Sequence, residues 1–293
     1  MSVDTYANVA GLDLEHLTQW IGRSETREDE VTAAPVAALA ATLDIDQRYP
    51  KPGDPLPPLW HWLYFLPFPR QSDLGPDGHE KRGAFLPPVD LPRRMWAGSR
   101  LHFRNPLRVG EQITRISRIA DVRLKEGRNG PLVFVLVRHE IANAQGIALE
   151  EEHDIVYRGH PQPGLPAPAP PPAPAVSEWE RAVHPDDALL FRYSALTFNA
   201  HRIHYDRRYA TEVEGYPGLV VHGPLIATLL LDLVRRRLPG ANVGRFEFRA
   251  VSPIFNTADF AICGKPEADS SSIGLWAKGP RDELAVTASA LLV

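Results

Sequence analysis

Along the 293-residue chain, hydrophobic and polar positions fall into two successive patterns, each a helix followed by strands. In the first, Thr32 stands at a helix N-cap, Pro35 lies in the first turn, and Val36, Leu39, Ala40 and Leu43 share one face. Strand-like stretches follow near 112–122, 132–142 and 148–157, separated by Gly127, Gly130 and Gly146. In the second, Pro224 opens a helix running to about Arg237, and Pro239-Gly240 ends it. Leu225, Leu229, Leu230, Leu233 and Val234 form its apolar face, which demands burial against a sheet. Strand-like stretches near 259–263, 272–277 and 284–292 complete this pattern, with polar turns between them.

The two patterns are related in sequence. Arg100-Leu-His-Phe-Arg104 returns 145 residues later as Arg245-Phe-Glu-Phe-Arg249, nearly half the chain length. A helix and then an antiparallel sheet able to wrap it, repeated twice, is an α+β layer arrangement. A tandem (double) hotdog, each half a sheet wrapped around a central helix, fits that arrangement.

Proline sharpens the division. Of 29 prolines, eleven lie between Pro50 and Pro92 and eight between Pro161 and Pro174. Proline removes a backbone donor and clashes with the preceding turn, so neither cluster suits a helix interior or a central strand. The stretch from His160 to Val176 is almost wholly Pro, Ala, Gly and Leu, an extended linker composition. The expected organisation is an N-terminal half over 1–158, a linker over 159–178 and a C-terminal half over 179–293.

Composition narrows the function. At 44% hydrophobic the chain can bury a sizeable core, and a net charge of -4 offers no footprint for nucleic acid. No apolar run approaches the ~20 residues that span a bilayer, and the N-terminal stretch lacks the basic and apolar regions of a signal peptide. A cytoplasmic protein without membrane partners is the expectation. A single cysteine, Cys263, excludes disulfides within the chain and thiolate metal sites. No Gly-rich phosphate loop and no metal-ligand spacing is visible, so neither a bound cofactor nor a metal is expected.

The densest chemistry lies in Phe191-Arg-Tyr-Ser-Ala-Leu-Thr-Phe-Asn-Ala-His-Arg-Ile-His-Tyr-Asp206, which brings Asn199, His201 and His204 together just before the apolar helix. The stretch resembles the hydratase motif of the MaoC-like hotdog hydratases, Ala-Leu-Ser-Gly-Asp-x-Asn-Pro-x-His-x-Asp. Ala195-Leu196 and His204-x-Asp206 align with it without gaps, and Val221-His222-Gly223 resembles the next family motif. In the first half, Trp60-His-Trp-Leu-Tyr-Phe65, Leu74-Gly-Pro-Asp-Gly78, Gly83-Ala-Phe-Leu-Pro-Pro88 and Arg93-Arg-Met-Trp-Ala-Gly98 are similar to a subgroup signature. That subgroup contains mesaconyl-C(4)-CoA hydratases, itaconyl-CoA hydratases and mitochondrial-type 3-hydroxyacyl-thioester dehydratases.

The resemblance implies reversible addition of water to an α,β-enoyl thioester. Water must lose a proton as it attacks the β-carbon, the α-carbon must gain one, and the thioester oxygen must be stabilised. His204 is the candidate acid/base, because imidazole titrates near neutrality; the plain alternative is a histidine holding local backbone. Asn199 stands where the family has Asp. An amide cannot act as a base, so Asn199 is expected to orient water while His204 moves protons; turn chemistry is its alternative. His201 and His222 are candidate pocket groups. Gly223 is the candidate thioester-oxygen site, at a helix N-terminus with free N–H groups. Arg93 and Arg94 are candidate anion contacts. The Trp60–Phe68 aromatics are read either as a lid over the acyl group or as a loop packed on the sheet. A Ser194/Asp232/His204 nucleophilic triad lacks the strained elbow it would need.

The expected reaction is hydration of an enoyl-CoA, with mesaconyl-C(4)-CoA or itaconyl-CoA, both related to citramalyl-CoA, as the favoured substrate. Alternatives are a 3-hydroxyacyl-ACP or fatty-acyl-CoA dehydratase, a hotdog thioesterase, and a non-catalytic acyl-thioester-binding protein. Assembly into a homo-oligomer is left open.

Overall fold

The computed structural model describes residues 8–9, 12–127, 130–160, 169–268 and 271–293. A short ribbon of β1 (Asn8–Val9) and β2 (Leu12–Asp13) leads into α1 (Leu14–Thr18), β3 (Ser24–Glu30) and α2 (Ala33–Thr42). After a long irregular stretch come β4 (Arg93–Phe103), β5 (Gln112–Gly127), β6 (Gly130–Asn143) and β7 (Gly146–Arg158). The second half holds β8 (Trp179–Val183), α3 (Asp187–Leu196), α4 (Gly223–Arg237), β9 (Val243–Ala250), β10 (Phe260–Pro266), β11 (Ser272–Lys278) and β12 (Leu284–Leu292).

Ten strands form one antiparallel sheet in the order β3-β5-β6-β7-β4-β9-β12-β11-β10-β8. The two halves meet where β4 pairs with β9. Leu101 lies opposite Phe246, a separation of 145 residues, so the sequence repeat and the pairing register share one centre. Arg100 therefore faces Glu247, and His102 faces Arg245. The repeated segments are related by a local two-fold through the middle of the sheet. Gly98 is required there, because a Cβ would overlap the Phe248 carbonyl oxygen.

α4 is the central helix of the second half. Pro224 suits its first turn, three arginines fill its last turn, and every residue from Leu225 to Val234 is buried. It packs against β8, β10, β11 and β12. Inside it, Asp232 is 4% exposed and is held by Arg181, Arg235 and Arg236 at 2.7–2.9 Å. An unpaired carboxylate at that depth would cost several kcal/mol, roughly 3–5.

The first half departs from the expected symmetry. α2 forms where its cap and apolar face placed it, but it spans ten residues and packs against α3 and the Trp60–Leu63 turn rather than serving as a second long central helix. One apolar core runs through both halves, from Val31 and Leu39 to Phe246 and Ala290. A smaller one, including Leu17, Val89, Ile119, Val133 and Tyr157, lies under α1 and the end of the proline-rich loop. That loop is itself part of the core: Leu56, Leu59, Trp60 and Leu63 are buried.

Of the linker segment 159–178, residues 161–168 lie outside the described residues. The stretch after them lies along the second half, with Ala173 N–H donating to Asp282 O and Leu284 N–H to Pro171 O, both at 2.8 Å. No helix among the described residues is long and apolar enough to cross a membrane.

Candidate active site

A cavity of about 720 Å³ opens between the two halves. Trp62, Tyr64, Phe65, His79 and Arg94 line it from the first half, and Asn199, His201, His204 and Gly223 from the second. Both readings of the aromatic stretch are thus partly met: Trp60 and Leu63 pack into the core, while Trp62, Tyr64 and Phe65 form cavity wall.

The second-half wall follows from how α3 ends. Asp186 caps its start, accepting from Leu189 N–H at 2.7 Å. At its end Phe198 adopts a left-handed φ of 49°, and Asn199 N–H turns back to Ser194 O at 2.8 Å. The Asn199 side-chain oxygen accepts from His201 N–H at 3.0 Å. Turn chemistry therefore takes one of the two acceptor sites on that oxygen, and the Nδ2 donor is left for a ligand. Asp206 closes the segment by holding Arg202 at 2.8 Å and accepting from Tyr209 N–H at 3.0 Å.

His204 follows from this turn. Its Nδ1 donates to Val220 O at 2.7 Å, which fixes the tautomer and leaves Nε2 as the basic nitrogen. Burial lowers its pKa to about 4, against the opposing pull of the Val220 carbonyl. At neutral pH the ring is uncharged and able to accept a proton. His222 stacks on it at 3.8 Å and 18°. His222 is fully buried, bonded through Nε2 to Ser194 Oγ at 2.8 Å, and sits behind His204 rather than among the cavity-lining residues. It touches His204 and Ser194, and it is not part of the cavity wall. His201 lies edge-on to His204 at 5.4 Å and lines the cavity; burial holds its pKa far below the ordinary value.

Gly223 is the first residue of α4, its N–H finds no acceptor among the described residues, and the space beside its Cα is open. The two arginines part company because neighbouring strand residues face opposite ways. Arg93 is 8% exposed, pairs with Glu214 at 2.8 Å, lies over the face of Tyr216 and does not line this cavity. Arg94 lines the cavity, and no carboxylate pairs with it among the described residues. The triad does not assemble, since Ser194 bonds His222 and Asp232 is enclosed by arginines.

Sequence reasoning missed two groups that reach this cavity, through Glu151 and His79. Glu151, 4% exposed, accepts from His61 Nε2 and Trp62 Nε1, each at 3.2 Å, and from Ser99 Oγ at 2.8 Å. Burial pushes its carboxyl up, but the His61 hydrogen bond and charge outweigh this and hold it well below the usual range. Nearby His139 and His153 are lowered by burial to about 3 and about 4. The second group is Asp77–His79, joined at 2.9 Å, with the His79 ring 4.0 Å from that of His201. Ligand atoms of Asp77, His79 and His201 lie within 4.8 Å of one another, a spacing that a cation accepts. The guanidinium charges of Arg94 and Arg82 act on His79 and oppose a dication there. Their only sequence trace was the Leu74–Gly78 motif, more than 120 residues from His201.

Comparison with known proteins fits this geometry. Residues 59–256 match the family model for hydroxyacyl-thioester dehydratase type 2. The chain is 50% identical over 271 residues to a mesaconyl-C(4)-CoA hydratase of Chloroflexus aurantiacus, covering 92% of this chain and 95% of that one. Two solved Mycobacterium tuberculosis proteins share the fold. HtdX is 19% identical, with 92% of this chain and 100% of that one aligned at a TM-score of 0.63. The other, described as a double hotdog, is 17% identical, with 93% and 96% aligned at 0.55. With its continuous ten-stranded sheet, this molecule is a double hotdog of the α+β class. The chain belongs to the hydroxyacyl-thioester dehydratase type 2 family.

Proposed function

We propose that this protein is a cytoplasmic hydro-lyase that adds water reversibly to mesaconyl-C(4)-CoA, giving citramalyl-CoA, with itaconyl-CoA as the related alternative. The observation that carries the reading is His204: one nitrogen is fixed on Val220 O and the other is unprotonated at the wall of a cavity shared by both halves. The similarity to the Chloroflexus hydratase supports the choice of acyl group.

The chemistry uses only imidazole and backbone. Water gives a proton to His204 Nε2 as its oxygen bonds to the β-carbon. The double-bond electrons move to the α-carbon and the thioester oxygen, where the Gly223 N–H and the α4 dipole stabilise the charge. The imidazolium then returns its proton to the α-carbon. No cofactor is needed beyond the CoA of the substrate.

In mesaconyl-C(4)-CoA the carbon that receives hydroxyl also carries the methyl group and the free carboxylate. That carboxylate must lie within a few ångströms of the base. Arg94, close enough to act electrostatically on His79 and His201, is the cation in that place.

The test is mass spectrometry of the wild type and His204→Ala with mesaconyl, itaconyl and crotonyl thioesters, with free thiol measured in parallel. Gain of water by the wild type, lost by at least about 10²-fold in the variant, is expected. Thiol release without water gain, or a variant with nearly full activity, sinks the reading.

A further inference from the structure

The turn from Leu74 to Glu80 belongs to the first half but is seated on the second-half segment. It is closed on itself by Gly75 N–H to His79 O at 2.7 Å and Gly78 N–H to Gly75 O at 3.0 Å. Arg202 fastens it, donating from its backbone to Asp77 O and from its side chain to Pro76 O, both at 2.9 Å. Gly78 lies so close to Ala200 that a Cβ would overlap the Ala200 carbonyl oxygen. Within this turn Asp77 grips His79 twice, accepting from its backbone N–H at 3.0 Å and from its ring Nδ1 at 2.9 Å.

An ionised Asp77 accepts only from a protonated Nδ1, so Nε2 of His79 is a lone-pair acceptor. Burial opposes ionisation of Asp77, but the hydrogen bond and charge of His79 outweigh it and keep the carboxyl well below its ordinary range. Burial and the Arg94 charge lower His79 itself to about 4, so its ring is neutral at neutral pH. His79 and His204 thus face one cavity from different halves of the chain, each with its tautomer set by the bond on Nδ1.

A water that attacks carbon gives up one proton and keeps the other O–H. Inside the cavity that O–H needs an acceptor, because a donor taken out of bulk water and left without a partner loses its hydration uncompensated. The Asn199 oxygen is already held by His201 N–H, and among the described residues no hydrogen bond fixes which nitrogen of the His201 ring carries a proton, whereas Asp77 fixes that of His79. We propose that His79 is the second catalytic histidine: its Nε2 accepts the retained O–H of the reacting water while His204 removes the other proton, and Asp77 is the positioning residue that holds His79 in that tautomer. This role rests on the hydration reaction proposed above. Proton balance is unchanged, since His79 holds a hydrogen bond and His204 carries the transferred proton from water to the α-carbon.

The experiment compares wild type, His79→Leu and Asp77→Asn after dialysis against EDTA, with mesaconyl-C(4)-CoA and crotonyl-CoA as substrates. Thermal melts are recorded alongside. Expected is a kcat loss of about 10²-fold or more in His79→Leu, which has no acceptor, with both thioesters, and KM within about threefold. Asp77→Asn should lose less, about tenfold, and move the acid limb of kcat/KM to lower pH, because the carboxylate no longer favours the charged ring. If His79→Leu melts below the assay temperature, Asp77→Asn and its pH profile decide alone. Unchanged kcat in His79→Leu, or an effect confined to KM, overturns the role. Activity lost on dialysis and restored by zinc overturns it in favour of a metal held by Asp77, His79 and His201. A wild type that hydrates neither thioester refutes the reaction itself, and this role with it.

Discussion

Gly78→Ala separates backbone strain from displacement of the site. Gly78 has φ +88°, and Gly53 has φ +87°. An alanine at either position pays roughly 1–2 kcal/mol for its left-handed backbone. At about 2–4 °C per kcal/mol in a chain of this size, each variant should melt a few degrees lower. The surroundings differ. Nothing lies within 4 Å of a Cβ at Gly53, whereas at Gly78 the obstacle is the backbone carbonyl of Ala200. A carbonyl fixed in the turn before His201 cannot rotate away, so the Leu74–Glu80 turn must move by about an ångström, and His79 with it. Misplacement on that scale costs about 10²-fold in rate. Steady-state hydration and melting of the two variants side by side are the assay. Gly78→Ala should lose about 10²-fold in kcat and melt lower than Gly53→Ala, which bears the backbone cost alone and should keep wild-type kcat. A Gly78→Ala enzyme with wild-type kcat refutes the argument, and so does an equal loss in both.

Three further outcomes are expected. Arg94→Gln should lower kcat/KM for mesaconyl-C(4)-CoA by about 10²-fold, the worth of a charge-assisted carboxylate pair, and leave crotonyl-CoA within about threefold; equal losses on both substrates remove Arg94 as the carboxylate contact. The pH dependence of kcat/KM should be flat through neutrality and fall as pH drops through about 4, where His204 and His79 become protonated; an acid limb near 6.5 contradicts the burial of these rings. The same shifts act on stability. The unfolded chain binds these protons near 6.5 and the folded one only near 4, so the melting temperature should fall as pH is lowered across that window.

The parts legible in sequence are those where periodicity and burial agree. β12 occupies the same 284–292 stretch that its pattern marked, and α4 begins within one residue of Pro224. β3, Ser-Glu-Thr-Arg-Glu-Asp-Glu, was invisible because an edge strand needs few apolar residues and charge protects its open side. β8 and α3 also gave no signal strong enough to read. In the site, the Asn199–His204 stretch was found because its groups are contiguous. The first-half contribution was not, because Asp77, His79 and Arg94 reach His201 only through tertiary packing. Strand alternation between Arg93 and Arg94 was readable in principle, but choosing the cavity side required knowing what Glu214 does.

The β4–β9 junction has a consequence for how the enzyme tolerates dilution. Its two-fold register, centred on Leu101 and Phe246, is that of a symmetric pair of subunits, yet both partners lie on one chain. Free subunits holding half a cavity each would part as their concentration fell. Tethering keeps the effective concentration of one half around the other at about the millimolar level. A cavity whose wall needs both halves therefore persists at trace enzyme levels. The two copies are also freed from having to match, so one can keep the long central helix while the other gives its place to a proline-rich loop.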